Sequence, residues 1–235
     1  MTGITQEMSA LAVLGAGFVI GLRHALDADH LAAVSAIVSD RKSFWSSSIV
    51  GGLWGVGHTI SLFAIGLLVI LLKIEVSVTA ETYLEAAVGV MLVLLGLNVL
   101  RKLFFAETVH AHSHHHNGHE HGHIHAHAQG EAERQHHGFS PRSVIVGMVH
   151  GLAGSGGLML LVLPSIESSS IALLFILIFG VGSIGGMMVM SFLMGLPLHF
   201  TAGRFDTLNK GLRVFAGLFS LTWGMLLIHE KLFRA

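Results

Sequence analysis

The stretch Arg23-His24-Ala25-Leu26-Asp27-Ala28-Asp29-His30 brings two imidazoles, two carboxylates and a guanidinium into eight consecutive residues. Neutral imidazole together with carboxylate is a ligand set suited to borderline divalent cations such as Ni²⁺ and Co²⁺. The stretch lies inside an apolar run of membrane length. Each Arg or Asp near a bilayer centre costs roughly 2.5–3.5 kcal/mol, so three facing lipid would oppose insertion by roughly 7–10 kcal/mol. They must therefore face protein, water or an ion. On a regular helix at about 100° per residue, Arg23, Asp27 and His30 share a narrow arc, His24 lies one step around, and Asp29 points elsewhere. Two geometries remain open. Either the helix is broken here, or Asp29 supports the site from behind. Arg23 is available to pair with a carboxylate while no ion is bound. The alternative to a metal site is a buried structural Arg–Asp–His network.

Two further histidines join this group. His58 follows Gly57 and precedes Thr59 in a second apolar segment, where a ligand or gate competes with a simple packing role. His150 stands in the fourth such segment. The metal-ligating set expected from the sequence is therefore His24, Asp27, Asp29, His30, His58 and His150. Glu85 falls near a helix end and reads as solvent-exposed. Asn98 is a further polar group in the third segment. His199 and His229 sit near membrane boundaries, and Ser183, Ser191 and Thr222 read as packing hydroxyls.

Histidine is also concentrated elsewhere. Twelve of the 18 histidines fall between His110 and His137. The loop positions expected to bind metal are His110, His112, His114, His115, His116, His119, His121, His123, His125 and His127. Such a polar, low-complexity segment cannot bury enough apolar area to fold alone, and disorder is expected across residues 104–140. Its alternating imidazoles can wrap a cation in many equivalent ways. A soluble linker is the alternative.

The elements that must position these residues are membrane helices. Hydrophobic residues are 52% of the 235-residue chain and charged residues only 11%, with a mean hydropathy of +0.72. A soluble domain carries about 25% charged residues. Net charge is −1 and there is no basic stripe, which argues against nucleic acid. With no cysteine, disulfides, thiolate zinc sites and iron–sulfur clusters are excluded. No Lys or Arg precedes the first apolar run, so a signal peptide is not expected. Six membrane-length segments are predicted, at about Ser9–Val38, Phe44–Leu72, Thr79–Leu103, Pro141–Leu163, Ser168–Leu196 and Leu208–His229. Ser140, Thr79 and Asp206 are the expected N-caps, with Pro164 and Pro197 just past helix ends.

The two halves resemble each other. Gly21-Leu22-Arg23-His24-Ala25-Leu26 resembles Gly147-Met148-Val149-His150-Gly151-Leu152, and Trp54-Gly55-Val56-Gly57-His58 resembles Phe179-Gly180-Val181-Gly182-Ser183. Gly89 and Gly96 match Gly217 and Gly224. The offsets are 126, 125 and 128, so the order is collinear. The expected fold is an all-α polytopic membrane protein of six transmembrane helices in two inverted three-helix repeats. Residues 1–103 form the first repeat with the metal motif, 104–140 the loop, and 141–235 the second repeat. Inverted repeats place a substrate near the midplane between halves. The second copy keeps His150 but has Ala153, Ser155 and Gly156 where the first has Asp27, Asp29 and His30. Nine Lys and Arg residues on one side against Lys73, Lys231 and Arg234 on the other predict both termini outside and the loop in the cytoplasm.

These residues resemble a known signature. His24, Asp29 and His30 fit the His-x₄-Asp-His pattern of the nickel/cobalt transporter family, and Gly57-His58-Thr59 is similar to its second motif. The resemblance implies that His24, Asp27, Asp29 and His30 are required for transport and that His58 has a role. Many family members have eight membrane segments against the six expected here, and their acidic motif in the second half is not recognisable. The run from His150 to Gly156 instead resembles smaller relatives, including permease-like proteins linked to urease maturation and nickel/cobalt efflux proteins.

The expected function is a secondary transporter, an uptake permease for Ni²⁺ or Co²⁺ in a cytoplasmic membrane, with the ion as cargo and no cofactor. No nucleotide-binding loop of the Gly-x₄-Gly-Lys type is present. Efflux through the same site is the nearest alternative. An intramembrane metalloenzyme and a metal sensor are the others, and no enzyme activity is expected. Besides the cation and the bilayer, a second copy of the chain and a cytoplasmic metallochaperone are compatible partners.

Overall fold

A computed structural model describes residues 2–41, 43–72, 77–105, 110–116, 119–125, 141–153, 166 and 168–234. Seven helices are seen among them: α1 (Thr2–His24), α2 (Ala28–Val38), α3 (Phe44–Leu72), α4 (Val78–Phe105), α5 (Pro141–Ala153), α6 (Ser169–Thr201) and α7 (Asp206–Phe233). α3, α4, α6 and α7 are each long and apolar enough to cross a bilayer. Taken as one bent segment, Ala10–His24 of α1 and Ala28–Val38 of α2 are long and apolar enough for a fifth, with a bend of 54° at the break between them. The outward surface is rich in exposed Leu, Ile, Val and Phe, as lipid contact requires. The protein is thus a multi-pass membrane protein whose candidate spans are all helical. α5 runs for 13 residues from Pro141, and the rest of the expected fourth segment lies outside the described residues.

Several expected helix ends are corrected. α6 continues through Pro197 to Thr201 instead of stopping before it. Proline removes one donor in this last stretch, and the helix end is held otherwise: the Thr201 hydroxyl donates to the Pro197 carbonyl at 2.7 Å, and the Asn209 amide donates to that of Leu198 at 2.9 Å. The Ser77 hydroxyl, not Thr79, caps α4 by accepting from the Ala80 amide at 3.2 Å. Asp206 is the first residue of α7 and not its cap. Ser140 and Pro164 lie outside the described residues.

In the His-rich loop the backbone of residues 110–116 and 119–125 forms two short antiparallel strands, β1 and β2, where disorder was expected. The register sets His110 opposite His125, His112 opposite His123, His114 opposite His121 and His116 opposite His119. Alternation with a period of two suits a strand, which accounts for the pairing. The side chains there lie outside the described residues.

Glycine faces bring the helices together. α1 packs on α6, α3 on both α6 and α5, and α4 on α7. Gly21 meets the Phe179 carbonyl, and its counterpart Gly147 meets that of Trp54, so closely that a Cβ would overlap either oxygen. Gly182 meets the Phe18 carbonyl and Gly57 that of Val144 in the same manner. Along α4 and α7, Gly89 faces Gly224 and Gly96 faces Gly217. Small residues allow such backbone approach in membranes. The pairs also give directions. Gly17 touches Phe175 and Gly186 touches Ala25, so α1 and α6 run parallel, as do α3 and α5, whereas Gly66–Ile176 and Gly195–Ser47 make α3 and α6 antiparallel. It follows that α1 opposes α5, α3 opposes α6, and α4 opposes α7. Trp54, Leu92, Met187 and the alanines of α2 form the main core at the crossing of these helices.

Candidate metal centre

The centre is built on the break between α1 and α2. The Arg23 and His24 carbonyls, near the end of α1, accept from Leu26 and Asp27 in tight turns at 2.8 and 3.1 Å. Asp27 then adopts extended backbone (φ −61°, ψ 145°), and the helix restarts as Leu31 donates to the Asp27 carbonyl at 2.9 Å. Asp27 stands at the N-cap, but its carboxylate does not cap. It accepts from His24 Nδ1 at 2.7 Å. Asp29 on the first turn of α2 accepts from His30 Nδ1 at 3.0 Å and from the His30 amide at 2.9 Å. Its other oxygen accepts from His150 Nε2 on α5 at 3.0 Å. Of the two geometries left open by the sequence, the broken helix is found, and both carboxylates brace imidazoles as well.

Four histidines converge here from four helices. His24 is 2% exposed, and His30, His58 and His150 are 0% exposed. Ring centroids are 4.3 Å apart for His24–His30 and His30–His150, 5.3 Å for His24–His58 and His30–His58, and 5.9 Å for His58–His150. Trp54 lies 5.3 Å from both His30 and His150, and Phe179, its counterpart in the second half, lies 5.4 Å from His24. Apolar walls of this kind exclude water and enforce the donor geometry.

Counting nitrogens shows what the rings are free to do. A carboxylate only accepts, so the ring nitrogen facing it carries the proton and the other nitrogen keeps its lone pair. His24 Nε2 and His30 Nε2 are buried and have no partner, and the same holds for both nitrogens of His58 and for His150 Nδ1. Buried polar atoms without partners are uncommon, and each calls for an explanation. One nitrogen from each of His24, His30 and His58 falls within 4.8 Å of the others. A carboxylate behind a ligating imidazole, fixing tautomer and orientation, is the usual support of a metal site. The donor set fits a borderline divalent cation.

The remaining expectations fall as follows. Arg23 is exposed and no carboxylate pairs with it among the described residues. Glu85 is not a free solvent-exposed group: it pairs with Lys231 of α7. His229 stacks on Phe233, 5.6 Å between centroids, and His199 packs 5.2 Å from Phe44. The Ser183 and Ser191 hydroxyls are fully buried without partners. Asn98 lines a cavity between α2, α4 and α5. Thr222 forms part of α7. Sequence reasoning missed Asp40, which pairs with Lys102 of α4 at 2.7 Å and with Arg213 of α7. A lone Asp after an apolar helix offered no signal for this pairing. It also missed the wall formed by Trp54 and Phe179, although both stood in the repeated motif.

Comparison with known proteins gives three findings. The family model for the cytochrome C biogenesis protein transmembrane region matches residues 31–226. The urease accessory protein UreH of Bacillus sp. (strain TB-90) is 33% identical over 220 residues, covering 94% of this chain and 92% of that protein. The chloroplast protein FOR GROWTH AND FERTILITY 1 of Arabidopsis thaliana is 39% identical over 82 residues, 34% of this chain and 22% of that one. No solved structure matches the chain. The second half's resemblance to permease-like proteins linked to urease maturation agrees with a full-length relative named for urease.

Proposed function

The chain belongs to the family of the cytochrome C biogenesis protein transmembrane region and is a full-length relative of a urease accessory protein, and from this premise we propose that it carries Ni²⁺ or Co²⁺ across the membrane as a secondary uptake permease. The observation that carries the reading is the cluster of His24, His30 and His58 at a helix break, one nitrogen of each within 4.8 Å of the others; each ring also has a buried nitrogen without a partner, and Asp27 and Asp29 hold the first two rings. Urease is named in the relative, and a membrane protein in nickel handling fits that name. Thiol–disulfide chemistry cannot run on this chain's own residues, because it has no cysteine.

The proposed cycle uses the groups in place. Asp27, with its side chain 49% exposed, meets the arriving hydrated cation. The cation sheds water as the lone pairs of His24, His30 and His58 replace it. Three neutral imidazoles leave the 2+ charge to be balanced by Asp27 and Asp29 behind them. This allows binding in a dry site without permanent neutralisation. The reciprocal glycine contacts and the opposed directions of α1 and α5, α3 and α6, and α4 and α7 support a six-span plan of two inverted repeats, with the site between them. Rocking of one half against the other then exposes the ion to the second side. A cavity of about 440 Å³ lies at the end that carries Asp40, Arg41, Lys102 and Arg142, on the side assigned to the cytoplasm by positive charge. It begins at Ala36, roughly 9 Å along α2 from His30 at 1.5 Å per residue. That is a short path from site to cytoplasmic mouth. We propose that the His-rich loop, on the cytoplasmic side by the positive-charge count, buffers the ion after it leaves.

Flux of Ni²⁺ and Co²⁺ into sealed proteoliposomes tests this, with His24→Ala as control. Saturable influx lost in the control supports the permease. No flux above empty liposomes from folded protein refutes it. Flux only out of vesicles, against the orientation set by the loop, would move the assignment to efflux.

A further inference from the structure

We infer that the buried cluster holds two adjacent cation stations that share His30 and are occupied alternately. This rests on the metal-carrying reading above and deepens it. The first station is His24, His30 and His58, all from the first half of the chain. The second is Asp29, His30 and His150, and it closes across the two halves because His150 belongs to α5. In each set one donor atom per residue lies within 4.8 Å of the others.

The two sets differ in readiness. At the first, the Nε2 atoms of His24 and His30 and both nitrogens of His58 have no partner, so a cation enters without breaking a hydrogen bond. At the second, the donor atoms are bonded to one another: Asp29 holds His30 Nδ1 and His150 Nε2, both at 3.0 Å. A cation there takes the place of those two hydrogen bonds, and the protons of His30 Nδ1 and His150 Nε2 pass to the other nitrogen of each ring, His30 Nε2 and His150 Nδ1, neither of which has a partner. The first station is therefore the one filled at equilibrium, and the second is the one visited in passage. Sharing enforces alternation. A neutral imidazole offers a single lone pair, on Nδ1 or on Nε2. His30 presents Nε2 to the first station while its Nδ1 proton faces Asp29, and serves the second only when that arrangement reverses. The rings of His30 and His150 are as close as those of His24 and His30, 4.3 Å in each case, so the step is short. The asymmetry of the repeat also finds a use. The second half kept only His150 of the motif, and one ligand is what a station bridging the halves needs from it.

The experiment uses the full chain with the twelve loop histidines, His110 to His137, changed to Ser, so that binding reports the membrane site. Co²⁺ is titrated in detergent and its visible absorption bands are recorded; Co²⁺ flux is measured in proteoliposomes. His58→Ala is expected to weaken Co²⁺ binding at least tenfold and to shift the bands. His150→Ala and His150→Gln are expected to keep the bands and the affinity within about threefold while flux falls at least tenfold. The glutamine variant and a melting curve separate this from misfolding. If His150→Ala weakens binding as much as His58→Ala, all four histidines form one site and the two-station inference falls, while the permease stands. If both His150 variants bind and transport normally, His150 is structural and the inference also falls. If His58→Ala itself transports normally, the permease reading fails at its own site.

Discussion

Replacing each motif carboxylate by its amide should separate their duties. In Asp27→Asn, the Asn oxygen can still accept from His24 Nδ1, now 2.7 Å from Oδ2. That side chain is 49% exposed, so water also reaches it. The bond is kept but one of the two balancing charges is lost, so the loss should lie at the lower end of the range for such outer groups, about tenfold in transport efficiency. Asp29 has a harder task. It is 20% exposed and accepts from His30 and from His150 through separate oxygens. An amide has one oxygen and an NH₂ group that cannot accept, so Asp29→Asn serves one imidazole and turns a donor on the other. Loss of such outer support costs about 10–100-fold in metal affinity or activity. Two imidazoles are affected in a nearly dry site, which puts Asp29→Asn at the upper end. That is about 2.8 kcal/mol at 1.4 kcal/mol per tenfold change. The assay is the initial rate of Ni²⁺ entry into proteoliposomes across a concentration series. Equal losses in the two variants, or a larger loss in Asp27→Asn, would refute the bridging role assigned to Asp29.

Further outcomes follow from the same geometry. Gly147→Leu should destabilise the fold by about 1–3 kcal/mol through overpacking against Trp54, and Gly21→Leu similarly against Phe179, seen as lower melting temperatures in detergent; an unchanged temperature for either would contradict the described packing. Imidazole must be unprotonated to ligate, so Ni²⁺ entry should fall toward acid pH, and a rate rising toward acid would oppose the ligand assignment. Changing all loop histidines from His110 to His127 to Ser should sharply reduce Ni²⁺ bound per chain at neutral pH, read by equilibrium dialysis. Retention of the full amount would remove the buffering role from the loop.

Much of this arrangement is legible in the sequence because the bilayer is a demanding solvent. Apolar runs located α3, α4, α6 and α7 closely, since lipid leaves the backbone only helices or closed barrels and continuous apolar runs of this length are helices. The cost of placing Asp27 and Asp29 in an apolar membrane-length run marked the site, and the angular conflict between Asp29 and the others left a break as one of two readings. What stayed hidden depends on contacts between distant segments. Nothing local to Asp29 shows that its second oxygen holds His150, 121 residues away. Asp40 gave no hint of Lys102 and Arg213, for the same reason. Glu85 read as exposed because its partner Lys231 sits on another helix. Pro197 was misjudged because a proline in the last stretch of a helix is tolerated when side chains hold the end, as Thr201 and Asn209 do here.

The claim that buried imidazoles hold the cation is tested most directly by X-ray absorption at the metal edge. The sample is the full chain with the twelve loop histidines changed to Ser, loaded with one equivalent of Ni²⁺. The account predicts outer-shell scattering from three imidazoles, falling to two in His58→Ala. A spectrum of oxygen ligands alone, or one unchanged by His58→Ala, would contradict it.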